Sequence, residues 1–397
     1  MKAINLDYTA AAPLDQEVIQ AMLPYFIEHY GNPSSGHSLG EKPRKAIDEA
    51  REKVARLIGA QAKEIIFTAT ASEANNLAIK GLIAGGRKKG NHIIASSIEH
   101  FSVLNQLKTL QKEGFEVTLL PVDRYGIVDP DQLASAITEQ TILISIQTAN
   151  PEIGTIQPVE ELAALARENE IPFHTDAAAA AGWIPIDVEK TGVDLLSLAG
   201  DQFYGPKGSA ALFVRRGTRM RPLIEGGIQE KGLRAGTENV PALVGMGEAA
   251  RMAYDSIEER PKKIADLRDQ LKESLFNEIP HLHLNGHPEQ RLPRNLNISV
   301  EFVEGEALLM RLDMAGIYVS SGSSCTSQAL KSSHVLSAIG VSAELAQGSL
   351  LLTLDKDSSA DDITYITGQL AQVAELLRNM SPLYHQFMKE GNKNARV

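Results

Sequence analysis

The sequence predicts an α/β protein. It indicates a large domain with a mainly parallel, seven-stranded type of sheet between helices, and a smaller α+β domain after it. Two observations support this prediction. Between about residues 60 and 215, short apolar runs of strand length alternate with amphipathic helical segments, which is the pattern of a parallel sheet covered by helices. After about residue 255 that alternation ends, and the chain of 397 residues is too long for one ordinary core.

Composition and net charge exclude some classes of function for this protein. Apolar residues make up 43% and charged residues 22%, as in globular proteins. The formal net charge of -11 argues against nucleic acid or an anionic membrane as the main partner, because both attract basic surfaces. The sequence has no apolar run of about 18 residues, and the N-terminus does not read as a leader. We therefore expect a cytoplasmic protein that does not span a membrane.

The elements follow one another in regular order. Strands are predicted at 64–67, 92–95, 117–120, 142–146, 172–175, 193–198 and 210–214. Helices are predicted at 41–58, 72–83, from about 101, at 130–137 and at 159–169. The helix at 41–58 carries its apolar residues on one face, which is the spacing of a core-packing helix. Ligands are expected at the carboxyl ends of the parallel strands.

A long helix from about 241 to 276, which we expect to break near Pro261, leads into the second domain. Strands are predicted there at 297–300 and 349–352. The resulting division is 15–255 for the large domain, and 1–14 with 256–397 for the small one.

Two segments that follow predicted strands carry polar residues. Small hydroxyl residues around Ala71 and Ser72 precede a helix, where they would serve either as ordinary N-caps or as part of a phosphate site. Asp176 ends a buried strand, and its carboxylate would either cap the next turn or pair with a protonated ring nitrogen such as that of pyridoxal phosphate (PLP).

Cys325 is the single cysteine, so one subunit can form no internal disulfide. It lies in the small polar run SSGSSCTS, a setting that favours a reactive thiol over a structural one. His281, His283 and His287 do not have convincing metal-ligand spacing and are interpreted as a strand running into a turn. No metal site is predicted.

Together the segments resemble the cysteine desulfurase family, which belongs to the class V aminotransferase group of PLP enzymes with fold type I. The resemblance runs from about Leu6 to Leu377. Its motifs are LDYTAAAPLD, YGNPSSGHS, EIIFTATASEANNLAIKG, SSIEH, AN-x-EIGTIQP, FHTDA, YGPKG, GLRAGTENV, SSGSSCTS and SSHVLSAIG.

The resemblance implies a role for several residues. His100 matches the histidine that stacks on the cofactor ring, and Asp176 matches the partner of the ring nitrogen. Ala71 and Ser72 lie at the phosphate-binding turn, and Thr237 matches a phosphate ligand that reaches across a dimer interface. Cys325 matches the loop nucleophile that accepts sulfur as a persulfide while cysteine becomes alanine.

The sequence also departs from the family pattern. Gln202 stands at the position of the lysine that forms the Schiff base, and an amide nitrogen does not form an imine. Lys207, five residues on, is not expected to replace it. Leu351 stands where the family has an arginine that binds the substrate carboxylate. Four further departures surround the cofactor position: Pro151, Ala179, Ala199 and Asp201.

From these departures the sequence predicts a degenerate homologue, a pseudoenzyme without desulfurase activity that keeps Cys325 for sulfur acceptance or for binding a partner in thiolation or iron-sulfur assembly. No covalently held cofactor is expected, and PLP only non-covalently or through an unusual attachment. Two alternatives stay open: an active PLP-dependent cysteine desulfurase, and a structural subunit that pairs with an active paralogue. The expected assembly is a homodimer, with a sulfur-transfer or scaffold protein as partner.

Overall fold

The computed structural model describes residues 3–86, 90–321 and 333–394. Its strands, in chain order, are β1 (Ile4–Asn5), β2 (Ile65–Thr68), β3 (His92–Ser96), β4 (Glu116–Leu120), β5 (Thr141–Ser145), β6 (Phe173–Asp176), β7 (Leu195–Ala199), β8 (Ala210–Val214), β9 (Leu282–Asn285), β10 (Asn295–Val300), β11 (Ile317–Tyr318) and β12 (Ser349–Thr353).

The helices are α1 (Gln16–Met22), α2 (Pro24–Ile27), α3 (Ser38–Leu57), α4 (Ala71–Asn76), α5 (Leu82–Gly85), α6 (Phe101–Lys112), α7 (Pro130–Ala136), α8 (Val159–Glu168), α9 (Val188–Thr191), α10 (Val240–Asp255), α11 (Arg260–Glu278), α12 (Gly305–Met314), α13 (His334–Ala338), α14 (Ala343–Gln347), α15 (Ala360–Met380) and α16 (Pro382–Asn394). A π-helical turn, Leu77–Gly81, joins α4 to α5 without a break. Within the described ranges, no helix is long and apolar enough to cross a membrane.

The main sheet confirms the predicted α/β class. Its strand order is β2-β8-β7-β6-β5-β3-β4, counted over the described residues. Strands β7, β6, β5, β3 and β4 run parallel, whereas β8 is antiparallel to both of its neighbours. Because β5, β6 and β7 are adjacent and parallel, the segments after them meet at one edge of the sheet. That edge carries the candidate site.

Helices α3 and α10 cover one face of this sheet. Apolar residues of α3 at helical spacing, Ile47, Ala50 and Val54, lie in the same buried cluster as Met246 and Ala250 of α10. The two helices approach closely at Gly247, where a Cβ atom would come within 2.6 Å of the Ala50 Cα atom. The helix at 41–58 is thus a core-packing element, as its periodicity predicts.

The C-terminal part has its own antiparallel sheet, β12-β10-β9, packed on helices α11, α12 and α15. The N-terminus joins it, because β1 pairs with β11 in parallel and Asp7 bridges to Thr353. The predicted break near Pro261 is present: α10 ends at Asp255 and α11 begins at Arg260, with Pro261 in its first turn, where its missing N–H costs nothing. The division at residues 15 and 255 remains a prediction.

Candidate active site

A chain of hydrogen bonds joins four residues from three strand-helix units. Asn75 Nδ2 donates to Asp176 Oδ2 at 2.6 Å and to Ser102 Oγ at 2.8 Å. Ser102 Oγ lies 2.8 Å from His100 Nδ1, which also accepts the backbone N–H of Ser102 at 3.1 Å. Because Nδ1 accepts the backbone N–H, the Ser102 hydroxyl donates to it as well. His100 and Asp176 are thus linked through Ser102 and Asn75.

Asp176 caps the turn after β6 with one oxygen and contacts Asn75 with the other. Its Oδ1 atom accepts the backbone N–H of Ala178 at 3.0 Å and so caps the turn after β6. Its Oδ2 atom is held by Asn75 at the open end of the strand. Asn75 is fully buried, and its Oδ1 atom has no protein partner among the described residues. An unpaired buried amide oxygen indicates a polar group that the protein chain does not supply.

Glu99 lies directly before His100 and is fully buried. Its Oε1 atom accepts the Ser96 hydroxyl at 2.5 Å and the Gln147 backbone N–H at 2.9 Å. Burial raises the pKa of Glu99 to about 8, although the bonds from Ser96 and Gln147 lower it; the Asp176 charge raises it further. The Glu99 carboxyl group therefore holds its proton near neutral pH, next to His100 in the chain.

The predicted phosphate segment forms the N-terminus of α4. Thr70 is the N-cap, and its side chain accepts the N–H of Glu73 at 3.1 Å. Ala71 is the first residue of the helix, and Ser72 is exposed. The helix continues through the π turn into α5, so its dipole points at this end. Ala71 and Ser72 therefore lie where an anion would be stabilised.

Gln202 lies in a 3-10 turn, Gly200–Phe203, directly after β7. Its side chain hydrogen-bonds away from Asp176: Nε2 donates to the Thr9 carbonyl at 3.0 Å, and Oε1 accepts Arg294 Nη2 at 2.7 Å. Its backbone carbonyl accepts the Trp183 indole N–H at 2.9 Å. The carboxamide thus ties the main sheet to the N-terminal segment and to the start of β10.

Arg294 and Asp201 complete this corner. The Arg294 guanidinium is buried and lies 4.5 Å above the Trp183 ring. Burial lowers the pKa of Arg294 to about 10, partly offset by the nearby acids. Burial raises the pKa of Asp201, whereas the charges of Lys207 and Arg294 lower it.

Leu351 lies on β12 directly opposite Asn297 of β10. Directly opposed residues share a face of the sheet, so Leu351 faces the same side as Asn297, whose Nδ2 donates to the Glu152 carbonyl at 3.1 Å. Its neighbours Leu350 and Leu352 instead enter the small-domain core. Leu351 therefore presents an apolar side chain, 7% exposed, toward the loop that contains Glu152.

The residues after position 332 are fixed to this site. Ser333 Oγ donates to Glu152 Oε2 at 2.8 Å and caps α13. His334 Nε2 lies 3.0 Å from the Glu99 carbonyl, and its ring contacts Phe101 at a tilt of 44°, with centroids 4.8 Å apart. Burial raises the pKa of Glu152 to about 7, although its bond with Ser333 lowers it. Cys325 lies outside the described residues.

Other candidate residues lie elsewhere. Thr237 is exposed in the segment before α10 and joins none of these hydrogen bonds. His283 Nε2 lies 2.5 Å from Glu301 Oε1, whereas His287 accepts backbone N–H groups at the turn after β9. No group of three potential metal ligands occurs within the described residues.

Sequence reasoning missed Asn75, Ser102, Glu99 and Arg294. Asn75 lies in the motif EIIFTATASEANNLAIKG and Glu99 in SSIEH, so their place in these motifs was the one sign in the sequence that they belong to the site. Arg294 had none, because its contact with Gln202 joins positions 92 residues apart.

Comparison with known proteins places this geometry in a family. The model for "Aminotransferase class-V" matches residues 4–347. The chain belongs to the class V aminotransferase family. It is 50% identical over 382 residues to cysteine desulfurase IscS of Methanosarcina thermophila, covering 96% of this chain and 94% of the relative. It is 48% identical over 393 residues to cysteine desulfurase IscS of Dictyoglomus turgidum, covering 99% and 100%. A solved structure of a NifS-like protein matches with a TM-score of 0.89 and 36% identity, covering 95% of this chain and all of that one.

This membership corrects the cofactor prediction. The sequence predicts that no cofactor is held covalently, and that prediction is wrong in view of the family: class V aminotransferases and the cysteine desulfurase homologues depend on PLP and typically bind it covalently. The residues present fit the group. Asp176 would face the ring nitrogen, His100 would stack on the ring, and the unpaired Asn75 oxygen and the α4 N-terminus supply polar contacts.

Proposed function

We propose that the protein is a PLP-dependent cysteine desulfurase that passes sulfur from L-cysteine to Cys325 and then to an acceptor protein. The observation that carries this proposal is the chain of hydrogen bonds from His100 through Ser102 and Asn75 to Asp176. It aligns an imidazole and a carboxylate at the edge of a parallel sheet. That arrangement suits a flat heteroaromatic ring with a basic nitrogen.

When bound, PLP supplies an electron sink that labilises bonds of the substrate next to its amino group. The residues of the chain would orient it. Asp176, held by Asn75 and the Ala178 N–H, would keep a proton on the ring nitrogen, and His100 would limit ring movement on one face. The Cys325 thiolate forms a bond with the substrate sulfur as the substrate carbon-sulfur bond breaks, and the carbon side leaves as alanine after it gains a proton.

Covalent attachment requires an amine, and position 202 carries an amide. Lys207 is the nearest lysine along the chain, is exposed, and exerts its charge on Asp201 beside Gln202. We therefore propose Lys207 as the attachment residue, against the expectation from its sequence position. Borohydride reduction of the PLP-loaded protein followed by peptide mass spectrometry should place the pyridoxyl group on the peptide that contains Lys207.

The activity test uses PLP-loaded protein and L-cysteine. We expect alanine release and a persulfide on Cys325, and Cys325→Ser should abolish the persulfide while keeping the visible absorption of bound PLP. Bound PLP without alanine release would overturn the desulfurase proposal. The same assay with an added acceptor protein measures sulfur transfer.

Leu351 favours a second candidate, a sulfur-accepting or structural subunit that does not itself process free cysteine. An apolar side chain at this position offers no ion pair to the substrate carboxylate. In that case Cys325 would become persulfidated only in the presence of an active, lysine-bearing homologue. Labelling by free L-cysteine alone would exclude this candidate.

We also propose a cytoplasmic homodimer. Large apolar side chains are exposed on and after α2, namely Phe26, Ile27 and Tyr30, and Ile228 is 90% exposed. Burying such side chains against a second copy is favourable, and Thr237 could then complete a phosphate site across the interface. A cytoplasmic setting keeps the Cys325 thiol reduced between turnovers. Light scattering on a size-exclusion column should give twice the monomer mass of 43.0 kDa.

A further inference from the structure

Two hydrogen bonds join the buried Arg294 to the half-buried Gln202. Arg294 Nη2 lies 2.7 Å from Gln202 Oε1 and Nη1 lies 3.3 Å from the Gln202 carbonyl oxygen. The other end of the carboxamide, Nε2, donates to the Thr9 carbonyl at 3.0 Å. The amide thus accepts from a cation on one side and donates to a carbonyl on the other.

Few side chains can do both. A lysine at position 202 has only donors, so it could not accept from Arg294, and it would bring a second cation to a guanidinium that lies out of water. A glutamate is close in size to glutamine and could accept from Arg294, but it could not donate to Thr9. A positive charge at position 202 should therefore destabilise the protein more than a negative charge.

The surrounding charges do not remove this constraint. Arg260, Asp201, Tyr204 and Asp355 all exert electrostatic influence on Arg294. Arg260 adds a further cation, and burial raises the pKa values of the half-buried Asp201 and the buried Asp355. The tyrosine is neutral, because its pKa is raised by burial and by Asp355. Asp201 and Asp355 already face the Arg294 and Arg260 guanidinium groups, so an ammonium group at position 202 would add a third cation to this corner.

We propose that Arg294 is the positioning residue that decides which side chains position 202 accepts: it fixes the Gln202 carboxamide between the sheet and the N-terminal segment, and it excludes a lysine amine there. The inference stands on the contacts of the pair and does not depend on turnover of cysteine. It implies that placing a lysine at position 202, where the family resemblance puts the cofactor amine, requires a second change at position 294.

The test is a charge series at position 202 in two backgrounds. Gln202→Lys, Gln202→Glu and Gln202→Met are made in the natural chain and together with Arg294→Gln, and thermal unfolding is followed by the fluorescence of Trp183, the only tryptophan. With Arg294 present, we expect Gln202→Lys to lower Tm by about 6–10 °C and Gln202→Glu by clearly less. With Arg294→Gln, the difference between lysine and glutamate should disappear or reverse.

Arg291→Gln is the matched control. Arg291 is also a buried arginine near the start of β10, but its Nη2 atom donates to the Ile153 and Asn285 carbonyls rather than to Gln202. Arg291→Gln should leave the difference in Tm between Gln202→Lys and Gln202→Glu unchanged. An equal difference in the natural and Arg294→Gln backgrounds would overturn the proposal. If Arg294→Gln does not fold, the variants of the natural chain still test the proposal. Equal Tm values for Gln202→Lys and Gln202→Met would contradict it.

A second readout tests the consequence for the cofactor position. PLP is added to Gln202→Lys and to Gln202→Lys/Arg294→Gln, followed by borohydride and peptide mass spectrometry. We expect at least a tenfold higher fraction of pyridoxyl-lysine at position 202 in the double variant. Full labelling at position 202 in the single variant would show that Arg294 does not exclude the amine.

Discussion

Asn75 Nδ2 lies 2.6 Å from Asp176 Oδ2, so an amide from the helix after β2 holds a carboxylate at the end of β6. The second N–H of the same amide is used by Ser102, and the Asp176 Oδ1 atom is used by Ala178. The carboxylate is therefore fixed at both oxygens before any ligand arrives. Such preorganisation lowers the cost of binding a ring nitrogen in one orientation.

Replacing Asn75 by alanine should weaken PLP binding. The change removes the donor to Asp176 and the link to Ser102, so both the carboxylate and His100 lose an orienting contact. A hydrogen bond to a charged group contributes about 1.5–3 kcal/mol, which corresponds to roughly a tenfold or greater loss of affinity. Titration with PLP, followed by its visible absorption, measures the effect.

Asn76→Ala is the control for that change, because the Asn76 side chain donates to the Ser72 carbonyl on its own helix and takes no part in the chain. It should bind PLP nearly as well as the natural protein. Equal losses for both variants would mean that general helix damage, and not the Asn75–Asp176 contact, sets the affinity.

Glu99 predicts a pH dependence of stability. Burial raises the pKa of Glu99 from its usual 4.5 to about 8, so between these pH values the folded protein holds a proton that the unfolded chain has released. The free energy of unfolding therefore falls as pH rises through this window. Glu99→Gln cannot ionise and should lose less stability between pH 5 and pH 8, by on the order of 3–5 kcal/mol.

Urea unfolding at several pH values checks this prediction. Glu113→Gln, at an exposed position of α6's C-cap, is the control and should follow the natural protein at every pH. Parallel curves for Glu99→Gln and the natural protein would contradict a buried, protonated Glu99.

The alternation of strands and helices was enough to predict the sheet, because strand length and helical periodicity are local properties of the chain. It also placed Asp176 correctly, since a polar residue that ends a buried strand must lie at the sheet edge. The antiparallel β8 was not predictable in this way, because two apolar strands joined by a turn do not show their direction relative to the other strands.

The side-chain partners could not be predicted. Asn75 reaches Asp176 only because α4 is rotated so that one of two consecutive asparagines points inward, and the π turn that follows is not visible in the sequence. The contact between Gln202 and Arg294 depends on how the small domain rests on the sheet. The sequence shows that Gln202 replaces the family's lysine, but it does not show that Gln202 is paired with Arg294.

Replacing Ser333 by alanine should destabilise the protein more than loss of a helix cap alone. Ser333 caps α13 and also donates to the buried Glu152 carboxyl, whose Oε1 atom has no partner among the described residues. Removing the hydroxyl leaves Glu152 without this donor. Loss of an N-cap costs about 1 kcal/mol, and loss of the contact with a buried carboxyl adds about 1–3 kcal/mol.

The matched control is Ser342→Ala, because Ser342 caps α14 at an exposed position through the N–H of Leu345. Urea unfolding should show a loss of only about 1 kcal/mol for this variant. If both variants lose the same stability, the Glu152 contact contributes nothing measurable.

Leu351→Arg should strengthen binding of L-cysteine to the PLP-loaded protein. The side chain at position 351 shares the face of Asn297, so an arginine there would extend toward the loop that contains Glu152. A bidentate guanidinium-carboxylate contact would then be available to the substrate, and we expect at least a roughly tenfold gain in affinity by calorimetry.

Leu351→Met keeps the volume without the charge and should bind L-cysteine as the natural protein does. Cysteamine, which lacks the carboxylate, should gain nothing from the arginine. Equal gains for cysteine and cysteamine would show that the arginine acts on the amine or thiol end of the ligand, and would contradict a carboxylate site at this face of β12.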